Sequence, residues 1–258
     1  MNDSRPAPPA APASAAGPAA VPHESAVLHV RGAAAYTDDL PEPRGTLPAA
    51  LGVSPVAHGR LRGLDLAAVR AAPGVVAVIV AADLPGVNDV GPIVHDDPIL
   101  ADGTLHFAGQ PVFAVAATSV DAARRAAMLA HVDVESLPAI LTIDDALEAQ
   151  SYVLPPVHVT RGDALRALAH APHRIRGEIR SGGQDHFYLE GQIALAVPQE
   201  DGGMHVHTST QHPGEVQHMV ARALGIDACA VVVQCRRMGG GFGGKETQMS
   251  LFACVAAV

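Results

Sequence analysis

The sequence predicts an α+β protein in two parts, and three observations carry that expectation. In the first half, β-branched and alternating runs bracket an alanine-rich helix. In the second half, two alternating runs meet at the turn Glu200-Asp201-Gly202-Gly203. One long amphipathic helix then leads through another β-branched run into a glycine run. With 48% apolar residues over 258 positions, the chain can bury the core of one large or two ordinary domains. Its apolar stretches are broken every few positions by Asp, Arg, Pro or Gly, far short of the roughly 18 residues a membrane-spanning helix needs. Seventeen basic against 26 acidic residues give a net charge of −9 with the basic ones scattered, so neither membrane nor nucleic acid is expected as a partner.

Residues 1–22 are mostly Pro and Ala with little to bury, which predicts a disordered tail. Prolines and the lack of a basic start exclude a secretory signal there, which leaves the cytoplasm as the default compartment. The first domain is expected over 23–150. Within it, Asp65 caps a short helix through Leu66, Val69 and Arg70, stopped by Pro73-Gly74, and a strand runs Val75 to Val80. Gly86 to Gly103 reads as a long irregular excursion. A strand from Pro111 to Thr118, a helix capped by Ser119 and a strand from His131 to Glu135 then repeat a β-α-β order. Asp144 caps one more short helix.

Paired prolines make 151–165 a connection, and the second domain occupies 166–258. Its expected elements begin with a strand at Arg174 to Arg180, followed by a hairpin of Gln192–Val197 with Met204–Gln211. A helix follows from Pro213, with Val216, Met219, Val220, Ala223 and Leu224 on one face and Gly225 past its end. The strand Ala230 to Gln234 then delivers the chain to Arg236.

Cys229, Cys235 and Cys254 are widely spaced in apolar stretches and read as buried thiols, not as a disulfide framework. Without any CxxC, iron-sulfur clusters cannot be held by this chain and must sit on a partner. His205 and His207 share a strand face, but no carboxylate at fixed spacing completes a metal set, and polar strand residues are the blander reading.

The segment Arg236 to Glu246 is RRMGGGFGGKE. Glycines in such density allow close backbone approach or positive φ, and a strand before with a helix after would leave N–H groups bare for a polar ligand. Gly239-x-Gly241-x-x-Gly244 meets the dinucleotide pattern in form, but no acidic residue about 20 positions on can be checked. The P-loop reading fails because Glu246, not Ser or Thr, follows Lys245. A plain glycine-rich corner with no ligand is the serious rival. Against it stands Phe242, an aromatic alone in the loop with no local core to join.

This segment resembles a signature of the molybdenum hydroxylases, and Gly182 to Glu190 (GGQDHFYLE) resembles their second one. Gly32 to Leu40, Gly91 to Leu100 and Gly109 to Val115 look like the domain that precedes the molybdopterin region in xanthine dehydrogenases. The resemblance implies an α/β hammerhead followed by the start of a molybdopterin-binding domain. It implies hydroxylation of a heterocycle or aldehyde at molybdenum, with electrons passing to iron-sulfur clusters and FAD on a partner subunit, then to NAD. Residue by residue, Gln184 matches the glutamine that hydrogen-bonds an oxygen ligand of the metal. Phe242 and Gly243 match the loop lying against the cofactor, and Glu246 matches a purine-binding glutamate that aldehyde-oxidising members usually lack. Asp185, where many members have Glu, is a mild departure. Asp185 and Glu190 have no fixed mutual geometry and receive no acid-base role.

The chain ends at Val258 in the apolar run LFACVAAV. The family's catalytic glutamate and substrate-binding arginine lie beyond that point, so this polypeptide alone is expected to bind no cofactor tightly and to turn over no purine. The competing expectation is a non-enzymatic assembly or binding module.

Overall fold

The computed structural model describes residues 22–258, so the expected tail at 1–22 lies almost wholly outside the described residues. The chain divides into two units at Ala35. Of the first, the structure describes α1 (Ala26–Val30), a single exposed turn with Val27 and Val30 open to solvent.

The second unit, Tyr36–Val258, contains three small sheets. Its strands and helices in the first part are β1 (Ala49–Val53), β2 (Gly59–Asp65), α2 (Ala67–Arg70), β3 (Val75–Val80), β4 (Thr104–Leu105), β5 (Pro111–Ala117), α3 (Val120–Ala127), β6 (His131–Ser136) and α4 (Ile143–Glu148). One antiparallel sheet runs β1-β5-β3 and a second β4-β2-β6. The strands on either side of α3 therefore enter different sheets, and the β-α-β order read from the sequence does not close a parallel unit. β1, β2 and β4 escaped sequence reading because Gly52, Gly59 and Gly63 and a polar alternation hide them.

β5 sits at the centre because both of its faces are apolar. Val112, Phe113 and Val115 join one buried cluster with Leu66, Val69, Leu105 and Ala126, while Ala114 joins the other. Ser119 caps α3 by accepting from the Ala122 amide at 3.2 Å, as expected. Asp65 accepts from the Ala67 amide at 2.9 Å at the start of α2. At α4 the cap is Thr142, which accepts from Asp145, and Asp144 lies inside the first turn. Thr142, two residues upstream of the expected Asp144, offers the same capping chemistry and takes the position.

The second part adds α5 (Ala164–His170), β7 (Ala194–Pro198), β8 (Met204–Thr208), α6 (Pro213–Leu224), β9 (Val231–Gln234) and α7 (Thr247–Ala257). β7 and β8 form the expected hairpin. β8 pairs in parallel with β9 through α6, which gives the chain its one βαβ crossover among the described residues. Gly225 ends α6 at φ 68° in the left-handed region. Arg174 to Arg180, expected as a strand, has no regular structure: Ile175 and Ile179 stand 101% and 94% exposed, so no partner strand secures the backbone. Cys229 is exposed rather than buried, whereas Cys254 is deep in the core and burial pushes its thiol up to about 12.

The excursion Gly86–Gly103 has a structural task. Its Gly86 and Val87 amides donate to the last carbonyls of α6, Ala223 and Arg222, both at 2.9 Å. Arg222 reaches back to Asp89 at 3.4 Å. Val90, Ile99 and Leu100 complete one core with Val206, Val216 and Val220. A β-carbon at Gly86 would lie 2.0 Å from the Arg222 carbonyl, so glycine is required for this approach.

Candidate functional site

The glycine run forms the corner between β9 and α7, where backbone rather than side chains sets the shape. The Gly244 amide donates to the Gly241 carbonyl at 2.7 Å, with Phe242 at φ 52° and Gly243 at φ 90° between them. Two successive left-handed residues are the signature of a type I′ turn. Phenylalanine seldom adopts that conformation, so the surrounding structure must hold it there. Gly240 is also left-handed, at φ 104°.

The remaining glycines answer to packing. A β-carbon at Gly239 would lie 2.5 Å from Cβ of Glu190, and one at Gly241 2.6 Å from Oε1 of Gln211. At Gly244 it would meet the His186 and Tyr188 rings at 2.8 Å. Close packing therefore explains much of the glycine density by itself, as the ligand-free reading proposed. Phe242 is not so explained, because its side chain is 74% exposed at the loop's tip.

Lys245 points inward and is completely buried. Its ammonium donates to the Glu190 carbonyl at 2.6 Å, to Oγ of Ser209 at 2.6 Å and to Oε2 of Glu190 at 3.2 Å, and sits 4.6 Å from the Tyr188 ring centre. The same Glu190 Oε2 accepts from the Gly239 amide at 2.7 Å and the Ser209 hydroxyl at 2.5 Å. Burial alone would raise the Glu190 carboxyl. The hydrogen bonds from Gly239, Ser209 and Lys245, with the ammonium charge, outweigh burial and hold it below the usual carboxylate range. With Lys245 buried, it cannot cradle a phosphate, which removes the P-loop reading on structural grounds.

Gln211 holds the other side of the loop. Its Oε1 accepts from the Gly243 amide at 2.8 Å and the Lys245 amide at 3.4 Å, while the Gln211 backbone N–H donates to the Lys245 carbonyl at 2.8 Å. Gln192 donates to the Gly244 carbonyl at 3.1 Å and to the Tyr188 hydroxyl at 2.7 Å. The amides expected to stand bare at a helix start are thus mostly engaged: those of Gly239, Gly243, Gly244 and Lys245 bond within the protein, because α7 starts two residues later than the glycine run suggested. Among the described residues, the Gly240, Gly241 and Phe242 amides have no hydrogen-bond partner, and of these three residues Gly241 is buried.

The sequence-derived candidates are placed unequally. Phe242 and Gly243 lie exposed at the loop tip, and Glu246 is exposed just before α7. Gln184 and Asp185 are exposed on irregular chain, two residues before His186, whose ring packs near Gly244. Glu190 is committed to the buried network, away from any pairing with Asp185. Sequence reading missed Lys245, Glu190, Ser209, Gln211 and Gln192, since the register that joins positions 55 apart leaves no local mark. His205 and His207 lie side by side on β8 with ring centroids 4.2 Å apart and planes tilted by 40°, and no group of three metal-ligating side chains occurs among the described residues.

Residues 31–138 match the family model described as aldehyde oxidase and xanthine dehydrogenase, a/b hammerhead domain, and residues 146–258 match the molybdopterin cofactor-binding domain. The chain is 40% identical over 242 residues to a xanthine dehydrogenase of Oryza sativa subsp. japonica, covering 92% of this chain and 18% of that one. It is 38% identical over 237 residues to the xanthine dehydrogenase/oxidase of Gallus gallus, covering 92% and 17%. The chain thus spans less than a fifth of these relatives. Among solved structures it resembles quinoline 2-oxidoreductase from Pseudomonas putida 86, with a TM-score of 0.77, 28% identity and coverage of 92% of this chain and 32% of that one. It also resembles the aldehyde oxidoreductase of Desulfovibrio gigas, with a TM-score of 0.79, 29% identity and coverage of 91% and 28%. With a hammerhead-type region followed by a molybdopterin-binding one, and both signature strings meeting at a single loop, the chain belongs to the molybdenum hydroxylases.

Proposed function

We propose that this chain supplies one wall of a molybdopterin and purine pocket in a xanthine-oxidising member of the family. The observation that carries the reading is the β9–α7 loop: it is fastened from both sides, yet presents an exposed Phe242 with the Gly240 and Phe242 amides unengaged. Such a surface suits a cofactor held by backbone. One buried acceptor at the loop's base, Oε1 of Gln192, has no partner among the described residues and suits a ligand rich in N–H groups, as a pterin is.

When bound, the molybdenum cofactor would supply the redox and oxygen-transfer chemistry. In this reading Gln184 would serve the cofactor as a hydrogen-bond donor on its metal side. Phe242 would lie against the cofactor, and Gly243 would offer its carbonyl, because its amide already donates to Gln211. Glu246 accepts from ring N–H groups and orients the heterocycle. Onward electron transfer would fall to iron-sulfur and FAD groups on a partner subunit. The names of the curated relatives support xanthine or hypoxanthine as substrate, and so does the carboxylate at Glu246.

The test is specificity. A molybdenum-loaded enzyme containing this chain should oxidise hypoxanthine with a higher kcat/KM than an aromatic aldehyde, and Glu246→Val should cut the purine value by about tenfold or more while sparing the aldehyde. A preference for aldehydes that ignores Glu246 would overturn the purine assignment and favour an aldehyde-type member. The isolated 258-residue chain should hold far less than one equivalent of molybdenum.

A further inference from the structure

Lys245, Glu190 and Ser209 form a closed set. One ammonium reaches three acceptors, and one carboxylate oxygen receives three donors. The Lys245 side chain is fully buried and that of Glu190 is 10% exposed. Such an arrangement is costly to assemble, because both charges lose their hydration, and an apolar trio of equal volume would often hold a fold as well. What an apolar trio could not do is bind the loop at both ends. Gly239 opens the glycine run and Lys245 closes it, and both are hydrogen-bonded to Glu190. Glu190 in turn ends the segment that carries Gln184.

We propose that Lys245, Glu190 and Ser209 are positioning residues: they fix the two ends of the glycine loop to the end of the Gln184 segment, so that the left-handed turn at Phe242–Gly243 is set before any ligand arrives. None of the three touches the ligand, and their effect is transmitted through the loop backbone. Held this way, the loop owes no ordering cost on binding, which is the benefit of a preorganised site. Because the effect exists in the ligand-free chain, the proposal stands or falls separately from the molybdopterin and purine reading.

The test is amide hydrogen exchange on the purified 258-residue chain, comparing wild type with Ser209→Ala, Glu190→Gln and the double variant Lys245→Met/Glu190→Met. Expected is exchange faster by about tenfold to a hundredfold at the bonded amides of Gly239, Gly243, Gly244 and Lys245, with β8, β9 and α6 unchanged. The double variant, which leaves no buried charge unpaired, should recover most of the thermal stability lost in Lys245→Met but none of the loop protection. Recovery of both would show that the trio only stabilises the fold. Uniform acceleration across β8 and β9 in Ser209→Ala, or unchanged loop exchange in all the variants, would equally overturn the proposal.

Discussion

The two signature strings of this chain live in different physical states. In 236–246, four positions are fixed by partners distant in sequence: Gly239 by Glu190, Gly243 by Gln211, Gly244 by Gln192 and Lys245 by three acceptors. In 182–189, a β-carbon added at Gly182 or Gly183 would meet nothing within 4 Å, and Phe187 and Leu189 stand 90% and 100% exposed. Both strings carry a phenylalanine in the left-handed region, Phe187 at φ 49° and Phe242 at φ 52°. Only the second is held there by a visible network. Equal similarity to a family signature therefore does not mean equal structural support: one string is fastened along its length, while in the other His186, Tyr188 and the closing Glu190 are packed and Gly182–Asp185 have little behind them.

Breaking the supported string should give the largest effect. Lys245→Met leaves the Glu190 carboxylate buried beside a methyl group, and the unfolding free energy should fall by about 3–5 kcal/mol in a urea titration followed by circular dichroism. A loss below about 1 kcal/mol would show that the ammonium does not compensate the buried charge. Next comes a matched pair of glycines. Gly244→Ala should cost about 1–3 kcal/mol, because its methyl must displace the His186 and Tyr188 rings. Gly183→Ala, in open space, should stay within about 0.5 kcal/mol. Similar losses at both positions would erase the distinction between the strings.

The same contrast explains what could be read from the sequence. α6 was legible with its boundaries, since Pro213, the apolar spacing from Val216 to Leu224 and Gly225 are all local signals. The β7–β8 hairpin was legible for the same reason, its register being set by the turn at 200–203. Arg174–Arg180 misled because its alternation is real while no strand lies beside it, and pairing is not a local property. At the site, the exposed residues Phe242 and Glu246 could be named from the motif. The network beneath them could not, since Lys245 meets Ser209 and Glu190 only after β8 and β9 pair across α6. The glycines were partly misread: three of them answer to neighbouring side chains that no spacing reveals.

Acid should separate the buried charge from its surroundings. The Glu190 carboxyl is lower in the folded chain than its ordinary value, so its contribution is fully present above about pH 4.3 and is lost as pH falls through the folded value. His207 is lowered by burial and by His205 beside it, so its contribution fades earlier, beginning below about pH 6.5. Asp97, raised by burial and by Asp89 and Asp96, works in the opposite sense and fades as pH rises through its folded value. Glu190→Gln should therefore flatten the loss of stability below about pH 4.3 and leave the earlier decline, which His207→Gln should remove. Chemical denaturation between pH 3 and 8 reads both limbs, and an unchanged acid limb in Glu190→Gln would mean that this carboxylate carries no folding free energy.

The smallest effect on folding belongs to the residue with the largest proposed role. Gln184 is exposed and no packing surrounds the glycines before it, so Gln184→Ala should leave the unfolding free energy within about 0.5 kcal/mol of wild type. In a molybdenum-loaded enzyme containing this chain, the same change should lower kcat for hypoxanthine, since a hydrogen bond to an oxygen on the metal acts on the reacting centre and not on the fold. A variant that loses stability but keeps kcat would assign Gln184 to the scaffold and move the proposed metal contact elsewhere. A variant with intact stability and lowered kcat would show that the loosely supported string carries chemistry, while the tightly supported one carries position.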